Sequence, residues 1–484
     1  MKRLTPIRLD DFTGGEASCF PISRMPSKYA LLMQNCYINE RGNIAKIPGY
    51  IKLNTTPTGT VLQSGYEFRK TDGTIQILAA GGGHIYKLSG GELVSIKSGL
   101  DTSAKVYFST MNNICIITNG VSGQQYKYDG TTVSALGGSP PNTSFKSHVH
   151  KGRVWMIERT NKMLATHSSL NNPEEYTGGT SGYIDFKYVL KEGDELVDMF
   201  TYVDLHVFVF KNHVAIYSGQ TPSGVDADYQ LVQLIKGVGA ITTDVFQTLG
   251  TDAFILGRTG IKSLRQIVTT GSMTVEEMSK MISPTIMNEI AAGGSFYSSA
   301  HYPKFGWGLL LLHGNVWAYS YIWKAWSRIV GADIKGMFTG GDGTLYLCGE
   351  GYLYQFDSGY SFAGNNIEME WQTAWLALSR TGDFVYPKML EIMYYPAEVF
   401  SCDFSIIYDF SNISYESIVN ITGLGGPSFD DVTDIDALNP WDAALSMSYR
   451  LPLFGRGRVA SMKFRNVSAT GPVEFANLNL WVKL

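Results

Sequence analysis

The stretch "LHVFVFKNHVAIYSG", Leu205 to Gly219, decides the fold. In its first half, Leu205 to Phe210, both alternating faces are apolar, so a strand formed here is buried on two sides. Two-sided burial normally means a parallel sheet between layers of helices, yet the surrounding sequence has few long helical patterns. Both faces can still be covered if sheets stack radially against one another, as the blades of a β-propeller do. The second half, after Lys211 and Asn212, reads as a return strand, so the run opens a hairpin.

Working outward, six more apolar runs repeat the pattern: "TIQILAA" from Thr74, "NICIITN" from Asn113, "RVWMIER" from Arg153, "DAFILG" from Asp252, "WGLLLL" from Trp307 and "TLYLCG" from Thr344. Their centres lie roughly 36 to 55 residues apart, the period of a four-stranded blade and longer than that of ankyrin or helical repeats. The runs predict a propeller over residues 61–360, with seven blades favoured and six as the alternative. Asp-Gly turns in "TDGT", "YDGT" and "GDGT" support hairpins in any β protein and do not by themselves specify a propeller.

Two segments break the repeat. "TVEEMSKMI" carries Thr274 and Glu277 in capping-box spacing, and "SPTIMNEI" offers Ser283 as N-cap with Pro284 at the first helical position. They predict a helical insertion near 272–292. Beyond Gly359 the repeat is lost, and strands of mixed polarity such as "FSIIYDF" and "VASMKFRNV" predict a β-sandwich-like domain over 361–484. The fold class read from the chain is all-β: an N-terminal arm over 1–60, a propeller and a terminal sandwich.

Composition narrows the function classes. The 484 residues are 44% hydrophobic and 17% charged, enough for two or three cores. Aromatics make up 13% of the chain, and 52 residues are glycine, a balance typical of strands joined by many turns. A formal charge of −4 with no Lys/Arg-rich block disfavours sequence-specific DNA binding. The five cysteines, Cys19, Cys36, Cys115, Cys348 and Cys402, form no CxxC pair, so they are read as reduced thiols of a protein folded in a cytoplasm. No stretch has the order of a secretory signal or the length of a membrane-spanning helix.

No catalytic motif emerges: there is no GxSxG elbow, Walker loop, dinucleotide fingerprint or Asp-box, and the protein is expected not to be an enzyme. His148 and His150 lie two apart on a strand and share a face, but they lack a third ligand, so no metal or cofactor is assigned. The loop holding Asp430, Asp431, Asp434, Asp436 and Asp442 lacks the order of a calcium loop and reads as solvated. Trp323 and Trp326 in "YIWKAWSR" could stack on sugars in a lectin, although packing between blades explains them better.

The beginning of the chain, "DFTGGEASCFPISRMPSKYALLMQN", is an arm rich in breakers. Glycines 14 and 15 and prolines 21 and 26 interrupt regular structure, leaving one short helix expected over Tyr29 to Asn35. Together with "CYINERGNIAKIPGY", this opening resembles that of the tail nozzle, or tubular, proteins of short-tailed bacteriophages, also called head-to-tail stabilisation proteins. The matching residues are Gly14, Gly15, Pro21, Asn35, Gly42, Lys46, Pro48 and Gly49. The propeller, the "ISPTI" helix start at Ile282 and the closing "GRGRVASMKFRNVSATGPVEFANLNLWVKL" are also similar to that family. The resemblance implies a structural virion protein in the tail, assembled in the bacterial host cytoplasm. It implies a ring, a homohexamer, seated on adaptor proteins, with tail fibres or tailspikes as further partners and transient, non-specific contact with ejected DNA. Phe12, Gly14, Gly15, Pro21 and Asn35 are then expected at the subunit or adaptor interface, and an arm of this kind should be dispensable for folding. The alternative is a propeller module that binds carbohydrate or a host receptor.

Overall fold

The structure, a computed structural model, describes residues 4–120, 123–224, 226–250, 252–266, 273–379, 381–394, 400–411, 413–421, 447–467 and 471–483. The acidic loop around Asp430 lies outside them.

Seven four-stranded antiparallel blades surround an axis. Blade 4 shows the plan: Leu196–Tyr202 is innermost, followed outward by Leu205–Phe210, His213–Ser218 and Gln230–Lys236. Blades 1, 2, 3, 5 and 6 occupy residues 64–97, 107–135, 144–185, 246–277 and 297–329. Every one of the seven apolar runs becomes the second strand of its blade. Trp307–Leu312 is buried at all six positions. The cover comes from neighbouring blades, because apolar clusters fill the gaps between them. Phe68, Cys115 and Tyr128 sit between blades 1 and 2. Trp155, Phe186 and Phe208 lie between blades 3 and 4, and Leu62, Ala79 and Leu353 between blades 7 and 1. Each Asp-Gly turn is braced by its aspartate, which accepts a backbone N–H two residues on, as Asp72 does from Thr74 and Asp342 from Thr344.

The seventh blade has only three strands from its own region, Gly336–Thr339, Leu345–Cys348 and Leu353–Phe356. Its fourth strand is Tyr50–Lys52, paired antiparallel through Tyr354↔Lys52 and Phe356↔Tyr50. The ring is therefore closed by a strand from the opposite end of the chain.

The sandwich is also built from both ends. One sheet combines Cys36–Ile38, Ile44–Lys46, Glu474–Lys483, Tyr386–Tyr394 and Met447–Pro452, with Leu4–Leu9 added along Glu474–Lys483. The other combines Tyr29–Gln34, Met369–Thr373, Val459–Asn466, Phe400–Tyr408 and Ser414–Ile421. Trp371, Phe404, Phe464, Phe475 and Leu480 form the core between the two sheets, with the Trp371 and Phe464 rings stacked at 5.3 Å.

Two expected helices are strands. Tyr29–Gln34 pairs with Met369–Thr373 and touches the outer strand of blade 6 at Gln34↔Arg328. Its main ladder partners, residues 370–373, lie more than 300 residues away, which no local pattern reports. Thr274 and Glu277 fall in Met273–Glu277, the fourth strand of blade 5, paired with Gly260–Gln266. Sheet completion outweighs a four-residue capping signal there. Helix α1, Ser283–Ala292, does form and carries Pro284 in its first turn. Among the described residues no helix is long and apolar enough to cross a membrane.

Candidate functional site

At one end of the propeller the ladder is broken at equivalent places in two adjacent blades. In blade 3 the register shifts between Ser144 and Lys146, and in blade 4 between Leu196 and Asp198. Phe145 and Val197 are the extra residues. A bulge re-aims the side chains beside it, and here Lys146 and Asp198 meet across the blade boundary with Nζ 2.7 Å from the carboxylate.

Blade 5 completes the network. Asp244, at φ 58°, lies just before the innermost strand Phe246–Leu249. Its backbone N–H donates to Asp198 at 2.9 Å, and its carboxylate accepts Lys146 at 2.8 Å and Lys105 at 2.6 Å. Aspartate tolerates this left-handed backbone better than most side chains, and these three contacts hold it there. Lys146 also lies 5.1 Å from the Tyr107 ring centroid and 5.3 Å from that of Phe246. Burial opposes the charge on Asp244, but Lys105 and Lys146 outweigh it and hold the carboxyl well below its usual range. Burial raises the Asp198 carboxyl against the pull of Lys146. Two lysines and two aspartates thus form a balanced floor beneath the channel mouth.

Adjoining that floor, and sharing Lys105 with it, opens a cavity of about 410 Å³. Its rim carries Arg159, Lys162 and Lys211, with Glu195 as the lining carboxylate besides polar Thr242 and Thr243. Glu195 accepts from Lys162 at 3.0 Å and from Lys211 at 2.5 Å, and both lysines hold its carboxyl below the ordinary value. The Arg159 guanidinium stands 5.8 Å from the Phe145 ring centroid. Asp101 also senses Arg159, but its carboxylate accepts the Ser103 and Ala104 N–H groups. Further along the axis the channel narrows to a space of about 230 Å³ lined by the inner strands of all seven blades.

Nearer the opposite end, His148 and His150 do share a face: both hydrogen-bond Thr201 Oγ1, at 2.9 and 2.8 Å. His206 stacks on His150 with centroids 4.4 Å apart and shares a 2.7 Å hydrogen bond with Tyr229. Burial depresses the basicity of all three, to about 3 for His148 and about 4 for His150, with His206 also well below its ordinary value. Among the described residues no group of three or more His, Cys, Asp or Glu has metal-holding geometry.

The arm residues expected at an interface are mostly used inside the chain. Phe12 is buried against Trp371, edge to face at 5.0 Å. A Cβ on Gly14 would sit 2.6 Å from the Tyr29 ring, and one on Gly15, at φ 71°, would sit 2.7 Å from Ala325 Cβ. These glycines permit close approach and are not a loose joint. Asn35 donates from Nδ2 to the Val330 and Glu368 carbonyls, and its Oδ1 accepts the Val330 N–H, tying blade 6 to the sandwich. Pro21 is exposed, ahead of the short turn Ile22–Arg24. Trp326 is buried with Nε1 donating to Met278 O, and Trp323 donates to Asn39 O, so both indoles serve packing.

Sequence reasoning did not single out Lys105, Lys146, Asp198 or Asp244. The available signal was a lone acid within the apolar "LVDMF", at Asp198.

No protein-family description matches the chain, and no curated protein matches it. Among solved structures it is similar to a streptogramin B lyase, at 11% identity and TM-score 0.44, covering 65% of this chain and 97% of that one. It is similar to the extracellular domain of a putative one-component system from B. thetaiotaomicron, at 10% identity and TM-score 0.46, covering 78% of this chain and 46% of that one. The WD40 domain of Neurospora crassa Pan2 matches at 10% identity and TM-score 0.40, covering 67% of this chain and 99% of that one. The fold itself is a β-propeller joined to a β-sandwich.

Proposed function

We propose that the protein is a non-catalytic structural subunit of a short-tailed phage tail, a nozzle or tube component that works as a ring. The observation carrying this reading is the union of propeller and sandwich into one body. Strand Tyr29–Gln34 lies between the outer strand of blade 6 and the sandwich sheet, so eleven strands form one connected sheet. Domains that meet only through a small interface move relative to one another, whereas a wall that guides DNA under load must not. The propeller's own channel is too small for a duplex, so DNA would pass through the centre of a ring of subunits. Phe384, Phe410 and Phe454 are each exposed on the sandwich and are the residues this reading places at the subunit contact. In this reading six copies form the ring, adaptor proteins seat it, and tail fibres or tailspikes join it.

Native mass spectrometry and negative-stain imaging test the reading directly. A closed ring is expected, and Phe410→Asp with Phe454→Asp should release folded monomers. A purified chain that stays monomeric at all concentrations and never enters tails would sink the proposal.

The channel-mouth cavity favours a second reading, a receptor-binding propeller that takes its ligand at the mouth and not through Trp323 or Trp326. Retention on a glycan array by the wild-type chain, lost when the rim is altered, would carry it.

A further inference from the structure

We infer that the channel mouth is a binding site for a small phosphorylated sugar, held between blades 3, 4 and 5. The inference deepens the receptor-binding reading and rests on it for biological purpose, but the site itself is independent of ring assembly.

The charge at the mouth is unlike that of the chain. The chain as a whole carries −4, yet the rim gathers Arg159, Lys162 and Lys211 around the single carboxylate of Glu195. The floor beneath is balanced, since Lys105 and Lys146 face Asp198 and Asp244. Among the rim side chains that line the cavity, three cations face one carboxylate, a net of two positive charges with Asp101 lying outside the lining; this is the match for a phosphomonoester, which carries about −1.5 to −2 near neutral pH. Arginine and lysine together also suit phosphate, the guanidinium as a planar fork and the ammonium as a point charge.

The rim side chains are mobile and the base is fixed. The Lys162 side chain is 49% exposed and that of Lys211 35%, so both can leave Glu195 for a ligand without losing packing. The floor cannot move in this way, because Lys146 and Asp198 are almost fully covered. A fixed base with adjustable arms is what a small-ligand pocket requires. The cavity of about 410 Å³ falls in the range of small-molecule sites, and its wall is polar at Thr242, Thr243 and Tyr107, where the Thr243 and Tyr107 hydroxyls already share a 2.6 Å hydrogen bond for a polyol to extend.

The repeat is broken at this mouth. Blades 3 and 4 both abandon regular pairing at the start of their inner strands, and both bulges deliver a residue to this mouth, Phe145 and Val197. Departures from a regular plan concentrate where function demands them.

Calorimetry on the full chain tests the site with four probes: glucose 6-phosphate, glucose, glucuronate and inorganic phosphate. Glucose 6-phosphate should bind with a dissociation constant of about 1 mM or tighter, and the other three should bind at least about tenfold more weakly. The triple variant R159S/K162S/K211S should lose at least about tenfold in affinity while keeping its circular dichroism spectrum, and exposed Lys191→Ser should change nothing. Absence of binding by glucose 6-phosphate, equal binding by any other probe, or binding that survives the triple variant overturns the site. A phosphomannan-bead arm separates the two readings. Retention supports the site and the receptor role together. Tight free-ligand binding without retention keeps the site and sinks the receptor role.

Discussion

The propeller and the sandwich use the chain in opposite ways. Blades 1 to 6 are each built from consecutive residues, strand after strand, with tight turns. The sandwich draws Leu4–Leu9, Tyr29–Gln34, Cys36–Ile38 and Ile44–Lys46 to strands that begin after residue 368. The propeller interior also tolerates charge at its channel, whereas the sandwich core is sealed by Trp371, Phe404, Phe464 and Phe475. The difference teaches that the N-terminal segment is an integral part of the architecture. It completes one domain, closes the other and welds them together.

The strongest way to break this comparison is to delete residues 1–25. The deletion removes Leu4–Leu9 from its ladder, Phe12 from the core and Glu16, whose carboxylate accepts the Met33 N–H at 3.0 Å and pairs with Arg328 at 2.9 Å. The truncated chain should aggregate or lose cooperative unfolding of the sandwich, as read by size exclusion and hydrogen exchange. A soluble chain with an unchanged melting temperature would restore the dispensable arm expected from the sequence.

Two point changes compare the interiors. Trp371→Ala should cost about 3–5 kcal/mol through the cavity it leaves. Lys146→Met should cost a similar ~3–5 kcal/mol, because Asp198 is left buried without its cation. The second loss is repairable: adding Asp198→Leu should recover much of it in denaturant titrations, whereas no single partner change rescues Trp371→Ala. Failure of that rescue would mean that the charges at the floor do more than balance one another.

Acid should strike the propeller before the sandwich. His148, His150 and His167, with folded values of about 3, 4 and 4, and His206, also strongly depressed, stay neutral in the fold. The unfolded chain takes up protons below about pH 6.5, so stability is fully present above that value and declines as pH falls toward 4. Each histidine contributes up to roughly 1.4 kcal/mol per pH unit in this window. Melting curves from pH 7 to 4.5 should show the decline, with hydrogen exchange locating it in blades 3 and 4. A flat profile over that interval would contradict it.

The smallest expected effect sharpens the weld. Asn35→Ala removes three hydrogen bonds between blade 6 and the sandwich and leaves half-buried backbone groups at Val330 and Glu368 without this partner. A loss of about 1–3 kcal/mol is expected, accompanied by faster exchange on both sides of the joint. Faster exchange on one side only would show that the domains are not coupled there.

What the sequence determined by itself is the propeller. Its seven runs needed no distant information, because two-sided burial is written into each strand, and the ladders of blades 1 to 6 each close within a few dozen residues. Helix α1 was legible for the same reason through Pro284, although Ser283, expected as its N-cap, lies inside the helix and makes no capping hydrogen bond. Only the tertiary structure decided that Tyr29–Gln34 and Met273–Glu277 are strands, that Tyr50–Lys52 closes blade 7, and that Lys105, Lys146, Asp198 and Asp244 meet. Strand pairing is satisfied by backbone groups that any sequence possesses, so a segment's partner cannot be read from its own residues. A charge cluster gathered from four blades has no spacing along the chain, and it exists only once the bulges beside Lys146 and Asp198 have turned them toward one another.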